Sequence, residues 1–156
     1  MENTSWASSD GVRRSMRSNR GRDTKPELRV RRLVHAKGMR YRVNARPIPG
    51  LRRTADLLFS KARVIVLIDG CFWHGCSIHY TPPKTNSEFW VSKIQQNRAR
   101  DAETVALLEA ADWTVLRFWE HSDPVDIADA IEEAVIPARS ATPKGKTKPT
   151  RYDGTT

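Results

Sequence analysis

The sequence predicts an α/β domain, a mixed β-sheet with helices packed on its faces. Three observations predict it. The run Val64-Ile65-Val66-Leu67-Ile68 is apolar on both sides, which suits a central strand covered by helices. Two further strand-like runs, 55–59 and 114–119, stand before and after it. Capped helical segments alternate with them in the order α-β-β-β-α-β-α. The 156 residues fit one domain with a reasonable core, plus tails.

The first 22 residues are polar and arginine-rich (Arg13, Arg14, Arg17, Arg20, Arg22), with Met16 the one large apolar residue after Trp6. We read 1–22 as a flexible basic arm able to order on a phosphate backbone. Thr24-Lys25-Pro26-Glu27 has the form of a capping box with proline in the first turn, and opens a helix running to about residue 37. Gly38 ends it, and Val30, Leu33 and Val34 form its apolar stripe. Residues 39–43 are a short strand candidate, followed by a turn at Pro47-Ile48-Pro49-Gly50. The four residues between the 55–59 and 64–68 strands allow a hairpin. A long helix is expected over 87–111, with Phe89, Ile94, Val105, Leu107 and Leu108 apolar. After the 114–119 strand, Asp123-Pro124 opens a last helix to about residue 135, with Ile127, Ala128, Ile131 and Val135 on its buried side. The body of the domain is therefore 23–136. From Pro137 to 156 the chain is Pro-, Lys- and Thr-rich and is expected to be a disordered basic tail.

Lys and Arg total 27 against 18 Asp and Glu, a net charge of +9. That balance favours a polyanionic partner, nucleic acid ahead of an anionic membrane; a basic surface serving solubility alone is the plainer alternative. No run of about 18 apolar residues is present, so no membrane span is expected. The N-terminus lacks the plan of a secretory signal. A cytoplasmic setting follows, where thiols stay reduced. The two cysteines are then metal ligands rather than a disulfide.

Residues 69–79, Asp-Gly-Cys-Phe-Trp-His-Gly-Cys-Ser-Ile-His, concentrate the chemistry directly after the most hydrophobic strand. Asp56 sits among Leu57, Leu58 and Phe59, where an unpaired buried carboxylate is costly. If its strand pairs with the next, Asp56 and Asp69 converge and could hold Mg²⁺, which needs few protein carboxylates. The alternative makes each a strand-end turn residue. His74 is a candidate general acid or base. Glu27 could reach the same centre, although a capping box already gives it a structural task.

Cys71, Cys76 and His79 form C-x4-C-x2-H, and His121 could add a fourth ligand if its strand lies beside the central one. Two thiolates and two imidazoles suit closed tetrahedral zinc. Free buried thiols are the alternative, and His74 is the competing ligand to His79. Phe72, Trp73 and Trp90 could wedge between base pairs or stack on bases. Phe89, Trp113 and Trp119 are expected to cover the core.

Ala55-Asp56, Asp69-Gly-Cys-Phe-Trp-His74, Pro83-Lys84-Thr85-Asn86-Ser-Glu88-Phe89-Trp90, Asn97-Arg98-x-Arg100-Asp101 and Trp119-Glu120-His121 together resemble the very-short-patch repair (Vsr) endonucleases. The likeness runs from about residue 13 to 135. It implies a restriction-endonuclease-like fold and a Mg²⁺-dependent nickase, acting on T:G mismatches left by 5-methylcytosine deamination and cutting 5′ to the thymine. By this resemblance Asp56 is the metal-binding aspartate, His74 the catalytic histidine and Glu27 the first-helix glutamate near the active site. Phe72, Trp73 and Trp90 are the intercalating aromatics, and Met16 enters from the arm. Arg17, Lys84, Lys93 and Arg98 complete the expected DNA-binding set. At Asp69 the family's best-known member has a histidine, which makes metal binding there more plausible in this chain. Cys76 stands where that member has a histidine, and His121 where it has a cysteine. The expected partner is double-stranded DNA containing a mismatch, with mismatch-repair proteins as candidate second partners. The expected setting is a monomer near the bacterial nucleoid. The alternatives are a non-catalytic, zinc-stabilised DNA-binding module, or a nuclease of this fold aimed at another lesion or a restriction-type target.

Overall fold

The central strand of the sheet is the apolar run that ends in Asp69. The computed structural model describes residues 23–141; Met16, Arg17 and the rest of the expected arm lie outside them, as does the tail from 142 onward. The elements are α1 (Lys25–Ala36), β1 (Arg42–Ala45), β2 (Ala55–Phe59), β3 (Val64–Asp69), α2 (Ser87–Ala110), β4 (Thr114–Trp119) and α3 (Pro124–Ala141). The strands form one four-stranded sheet in the order β1-β2-β3-β4. β1 with β2 and β2 with β3 are antiparallel, and β3 with β4 is parallel. The fold class is thus the expected mixed sheet flanked by helices. The tight β2–β3 connection gives a hairpin, whereas the parallel β3–β4 pair needs the long crossover that carries α2.

Alternation along β3 builds two cores. Val64 and Val66 pack with Leu57 and Phe59 against Val30 and Val34 of α1 and Ile127, Ile131 and Val135 of α3. Ile65 turns the other way, joining Leu58, Leu108 and Trp113 under α2, with Leu67 and Val115 at the margin. Lys37 at the end of α1 binds Asp129 (2.8 Å) and Glu132 (2.5 Å) of α3, tying the two helices of the first layer. Among the described residues no helix is long and apolar enough to cross a membrane.

Three local expectations change. Gly38, at φ +83°, does end α1, but Met39 donates its N–H back to the Val34 carbonyl and is buried, so the strand begins only at Arg42. α2 buries Trp90, Ile94, Thr104 and Leu108. Phe89 and Leu107 lie beside that stripe and are exposed, so Phe89 does not cover the core as expected. Finally, α3 passes through Pro137 to Ala141 instead of stopping near 135. Proline lacks the N–H that would reach Glu133, and Glu133 is exposed, so water can satisfy the freed carbonyl.

Candidate active site and metal centre

β3 delivers Asp69 to the edge of the sheet, and the loop after it turns back at once. The parallel register places Asp69 opposite Trp119. Glu120 fixes the start of the loop by donating its N–H to the Asp69 carbonyl (2.9 Å) and accepting the Cys71 N–H on Oε1 (2.9 Å). α2 fixes the rest. Arg98 donates from Nε to the His74 carbonyl (3.0 Å) and from Nη2 to the Gly75 carbonyl (2.5 Å). Asn97 Nδ2 donates to the Trp73 carbonyl (3.0 Å). Arg98, expected on DNA, thus spends these donors on the loop that presents Trp73 and His74.

Asp69, His74 and Asp101 offer donor atoms within 4.8 Å of one another. His74 Nδ1 lies 2.6 Å from Asp101 Oδ2, and its Nε2 lies 3.7 Å from Asp69 Oδ1. Arg117 of β4 spans both acids, with Nη2 2.6 Å from Asp69 Oδ2 and 3.2 Å from Asp101 Oδ2. Arg53 approaches Asp101 Oδ1 at 3.7 Å. Asp69, His74, Asp101 and Arg117 face a cleft of about 420 Å³.

Asp56 is not a member of this three-residue group. Its Oδ2 accepts the Ile68 N–H at 2.7 Å, where the β2–β3 ladder has already ended at Leu57–Val66. Burial pushes its pKa up to about 7; the Ile68 hydrogen bond opposes that rise, while the charges of Glu27 and Asp69 add to it. Glu27 and Asp69 thus each lie within electrostatic reach of Asp56. Glu27 itself is buried, its Oε2 accepting the Asp23 N–H (2.8 Å) and pairing with Arg31 Nη2 (3.1 Å). Its N–H goes to Thr24 Oγ1, so the helix cap forms as the sequence implied.

The soft ligands converge as a second group. Cys71, Cys76, His79 and His121 offer one atom each, all within 4.8 Å. The two sulfurs lie 3.1 to 3.9 Å from the histidine Nδ1 atoms. Ligands on a tetrahedral zinc ion are separated by about 3.5 Å, so the set fits that ion. His74 points to the acidic group instead, which leaves His79 as the ligand candidate. Burial first, then hydrogen bonding with Cys76 and the charge of Glu120, pushes Cys71 up to about 12. For Cys76 burial acts upward too, but backbone N–H groups of His79 and Ile78 outweigh it and bring the thiol down to about 7. Cys76 is therefore the readier of the two thiols to give up its proton to an arriving ion.

Between the two groups stands an aromatic ridge. Phe72 packs edge-on against Trp73 (5.3 Å) and Trp90 (5.1 Å), and Trp73 also meets Trp90 (6.0 Å). Phe72 and Trp73 are half-buried, while Trp90 is buried beneath them. In this arrangement Trp90 supports Phe72 and Trp73 from the protein side. Lys84 is exposed and Lys93 half-buried.

Asp101, Arg117 and Arg53 were given no role by the sequence. Arg117 had a readable signal, a lone charge inside the apolar run Thr-Val-Leu-Arg-Phe-Trp. Asp101 had little, because α2 carries a charge on most turns.

Comparison with known proteins now bears on this geometry. The family model described as DNA mismatch endonuclease Vsr matches residues 9–80. The type II nicking enzyme V.NaeI of Lentzea aerocolonigenes is 38% identical over 127 residues, 80% of this chain and 76% of that one. The type II nicking enzyme V.XorIIP of Xanthomonas oryzae pv. oryzae is 39% identical over 107 residues, 67% of this chain and 76% of its own. The DNA mismatch endonuclease Vsr of Escherichia coli is 33% identical over 108 residues, 69% and 67% of the two chains. By class, then, the protein is an endodeoxyribonuclease. Within that class the chain belongs to the Vsr family.

Proposed function

We propose that this enzyme nicks double-stranded DNA at T:G mismatches left by deamination of 5-methylcytosine, cutting 5′ to the mismatched thymine. The observation that carries the reading is His74, whose Nδ1 lies 2.6 Å from Asp101 Oδ2 and whose Nε2 lies 3.7 Å from Asp69 Oδ1, directly after Phe72 and Trp73. A histidine oriented through one nitrogen presents the other for proton transfer to or from water or the leaving oxygen. The neighbouring aromatics suit a wedge that unstacks the mismatch and exposes the adjacent phosphate. The mixed sheet with acids at the ends of β2 and β3 supports a restriction-endonuclease-like architecture.

The acids fit Mg²⁺ in their chemistry. Asp56 is held toward its neutral form by burial and by the charges of Glu27 and Asp69, a cost that a hard cation removes. Asp56 and Asp69 would hold the ion, which when bound supplies Lewis-acid stabilisation of charge on the phosphate. Cys71, Cys76, His79 and His121 would hold zinc, which braces the loop against β4 and has no open position. His74 moves the proton, Asp101 orients it, and Phe72 and Trp73 engage the bases. Basic side chains at Lys84 and Lys93, with Arg17 of the arm, would grip the backbone, and Met16 of the arm would enter from the other groove. We place the enzyme in the cytoplasm at the nucleoid, acting as a monomer alongside mismatch-repair proteins.

The test is nicking of oligonucleotide duplexes that differ only in T:G, matched T:A and other mismatched pairs, with the cut mapped to the nucleotide. Cutting 5′ to T in T:G alone, lost in Asp56→Ala, is the expected result. Equal cutting of matched duplexes with varied flanks would replace the mismatch with a restriction-type target.

A further inference from the structure

We propose that Arg117 holds Asp69, one of the two acids that would bind the cation, in the free enzyme and releases it when a divalent ion and a DNA phosphate arrive together. The inference rests on the reading above that Asp69 helps to hold Mg²⁺. It concerns what stands in that place beforehand, and so when the ion can load.

Arg117 is placed by register. It pairs with Leu67 in the parallel β3–β4 ladder, two residues before Asp69, so the pleat puts both side chains on one face. Its Nε and Nη2 lie 2.9 and 2.6 Å from Asp69 Oδ2, and Nη2 also reaches Asp101 Oδ2 at 3.2 Å. Two carboxylates therefore face two guanidinium groups, Arg117 and the more distant Arg53, before any ion is present. A divalent ion entering this cluster gains little net attraction and is repelled by Arg117 at short range. Arginine stays protonated at any working pH, so the conflict is resolved only by movement.

The structure gives it room to move. The Arg117 side chain is 30% exposed and borders the cleft of about 420 Å³ that also contains His74 and Trp119. A phosphodiester in that cleft offers the planar fork a bidentate acceptor, in place of the single oxygen that Asp69 presents. Transfer of Arg117 from carboxylate to phosphate frees Asp69 for the ion and leaves a positive group where charge develops on the phosphate. Ion binding and substrate binding then favour each other, and the enzyme without DNA is held in an unloaded state. Arg117 is in this sense a positioning residue, whose effect is read in ion affinity.

The experiment is titration calorimetry of the full chain with Mn²⁺ in the absence of DNA, for wild type, Arg117→Leu, Arg117→Gln and Asp69→Asn. Zinc content and circular dichroism report folding in each, and the glutamine variant serves if leucine at this half-exposed place does not fold. Both Arg117 variants are expected to bind Mn²⁺ roughly tenfold or more tightly than wild type, because a like charge has left Asp69. In a nicking-deficient His74→Ala background, adding a T:G duplex is expected to tighten Mn²⁺ binding when Arg117 is present and to have a smaller effect on Arg117→Leu. If both Arg117 variants match wild type while Asp69→Asn loses the ion, the inference falls and the Mg²⁺ reading stands. If Asp69→Asn binds as well as wild type, the ion is not at Asp69 and both fall.

Discussion

His74 Nδ1 lies 2.6 Å from Asp101 Oδ2, although one comes from the loop after β3 and the other from α2. The two atoms lie within ion-pair distance, but Nδ1 makes no aligned hydrogen bond here; alignment of the pair on DNA would put the proton on Nδ1 and leave Nε2 to accept one. Asparagine at 101 keeps the shape but can turn an N–H toward the ring and favour the other tautomer. Asp101→Asn is therefore expected to slow single-turnover nicking on the order of 10²–10⁴-fold with DNA affinity little changed. Adding His74→Ala to it should cost little more, since the two act as one unit. A single variant within a few-fold of wild type would remove the pair from the mechanism.

Asp56 trades stability for chemistry. Its carboxyl titrates near 7 in the folded protein against an ordinary value of 3.8. Between those values the folded chain keeps a proton that the unfolded chain has released, so stability falls as pH rises from about 4 to 7 and stays reduced above. Asparagine still offers an oxygen to the Ile68 N–H and carries no charge. Asp56→Asn should raise stability by roughly 1–4 kcal/mol at about pH 8, lose that gain by about pH 4, and abolish nicking. Urea melts at the two pH values check this; a variant less stable than wild type at the higher pH would refute it.

How much of this was legible beforehand depends on whether the information is local. The β3 run, the Thr24 cap and the spacing of Cys71, Cys76 and His79 can be read within a few residues, and each forms as expected. His121 could be placed only by supposing that β4 lies beside β3, which the parallel register bears out. The Arg117 charge was visible in the sequence, but its partners depend on which strand lies alongside. Asp101 stood in the Asn97-Arg98-x-Arg100-Asp101 motif of the resemblance, but its pairing with His74 was not legible, because a charge on a helix face ordinarily contacts water. Strand β1 was shifted because the end of α1 consumes the Met39 N–H, a competition that residue preference does not express.

The soft-ligand group should make the fold depend on zinc. Cys71 and His121 tie the loop to the end of β4, and their Sγ–Nδ1 separation of 3.1 Å leaves no room for independent movement. One zinc per chain is expected by atomic absorption. Removal by a chelator, or Cys71→Ser, should lower the melting temperature by more than about 10 °C, since structural zinc contributes folding free energy directly. Far-UV circular dichroism follows the melt. Full thermal stability in metal-free protein would show that the thiols are merely packed.

Gly75 links loop geometry to catalysis. Its φ of +61° is unfavourable for any residue with a Cβ, and a Cβ there would meet Ile94 Cγ2 at 2.9 Å and Arg98 Nη2 at 3.0 Å. Ile94 is a buried residue of α2, so it cannot easily yield, and Arg98 is the residue holding the His74 and Gly75 carbonyls. Gly75→Ala should cost about 1–3 kcal/mol in stability through backbone strain and overpacking. It should cost more in activity, because relief of the clash pushes the loop from α2 and draws His74 from Asp101 of that helix. Asn97→Ala and Arg98→Ala remove the carbonyl donors without the clash and are expected to slow nicking in the same direction. Chemical denaturation and single-turnover nicking separate the two effects. A Gly75→Ala enzyme that loses stability but nicks at the wild-type rate when folded would show that the loop's hold on α2 does not set the position of His74.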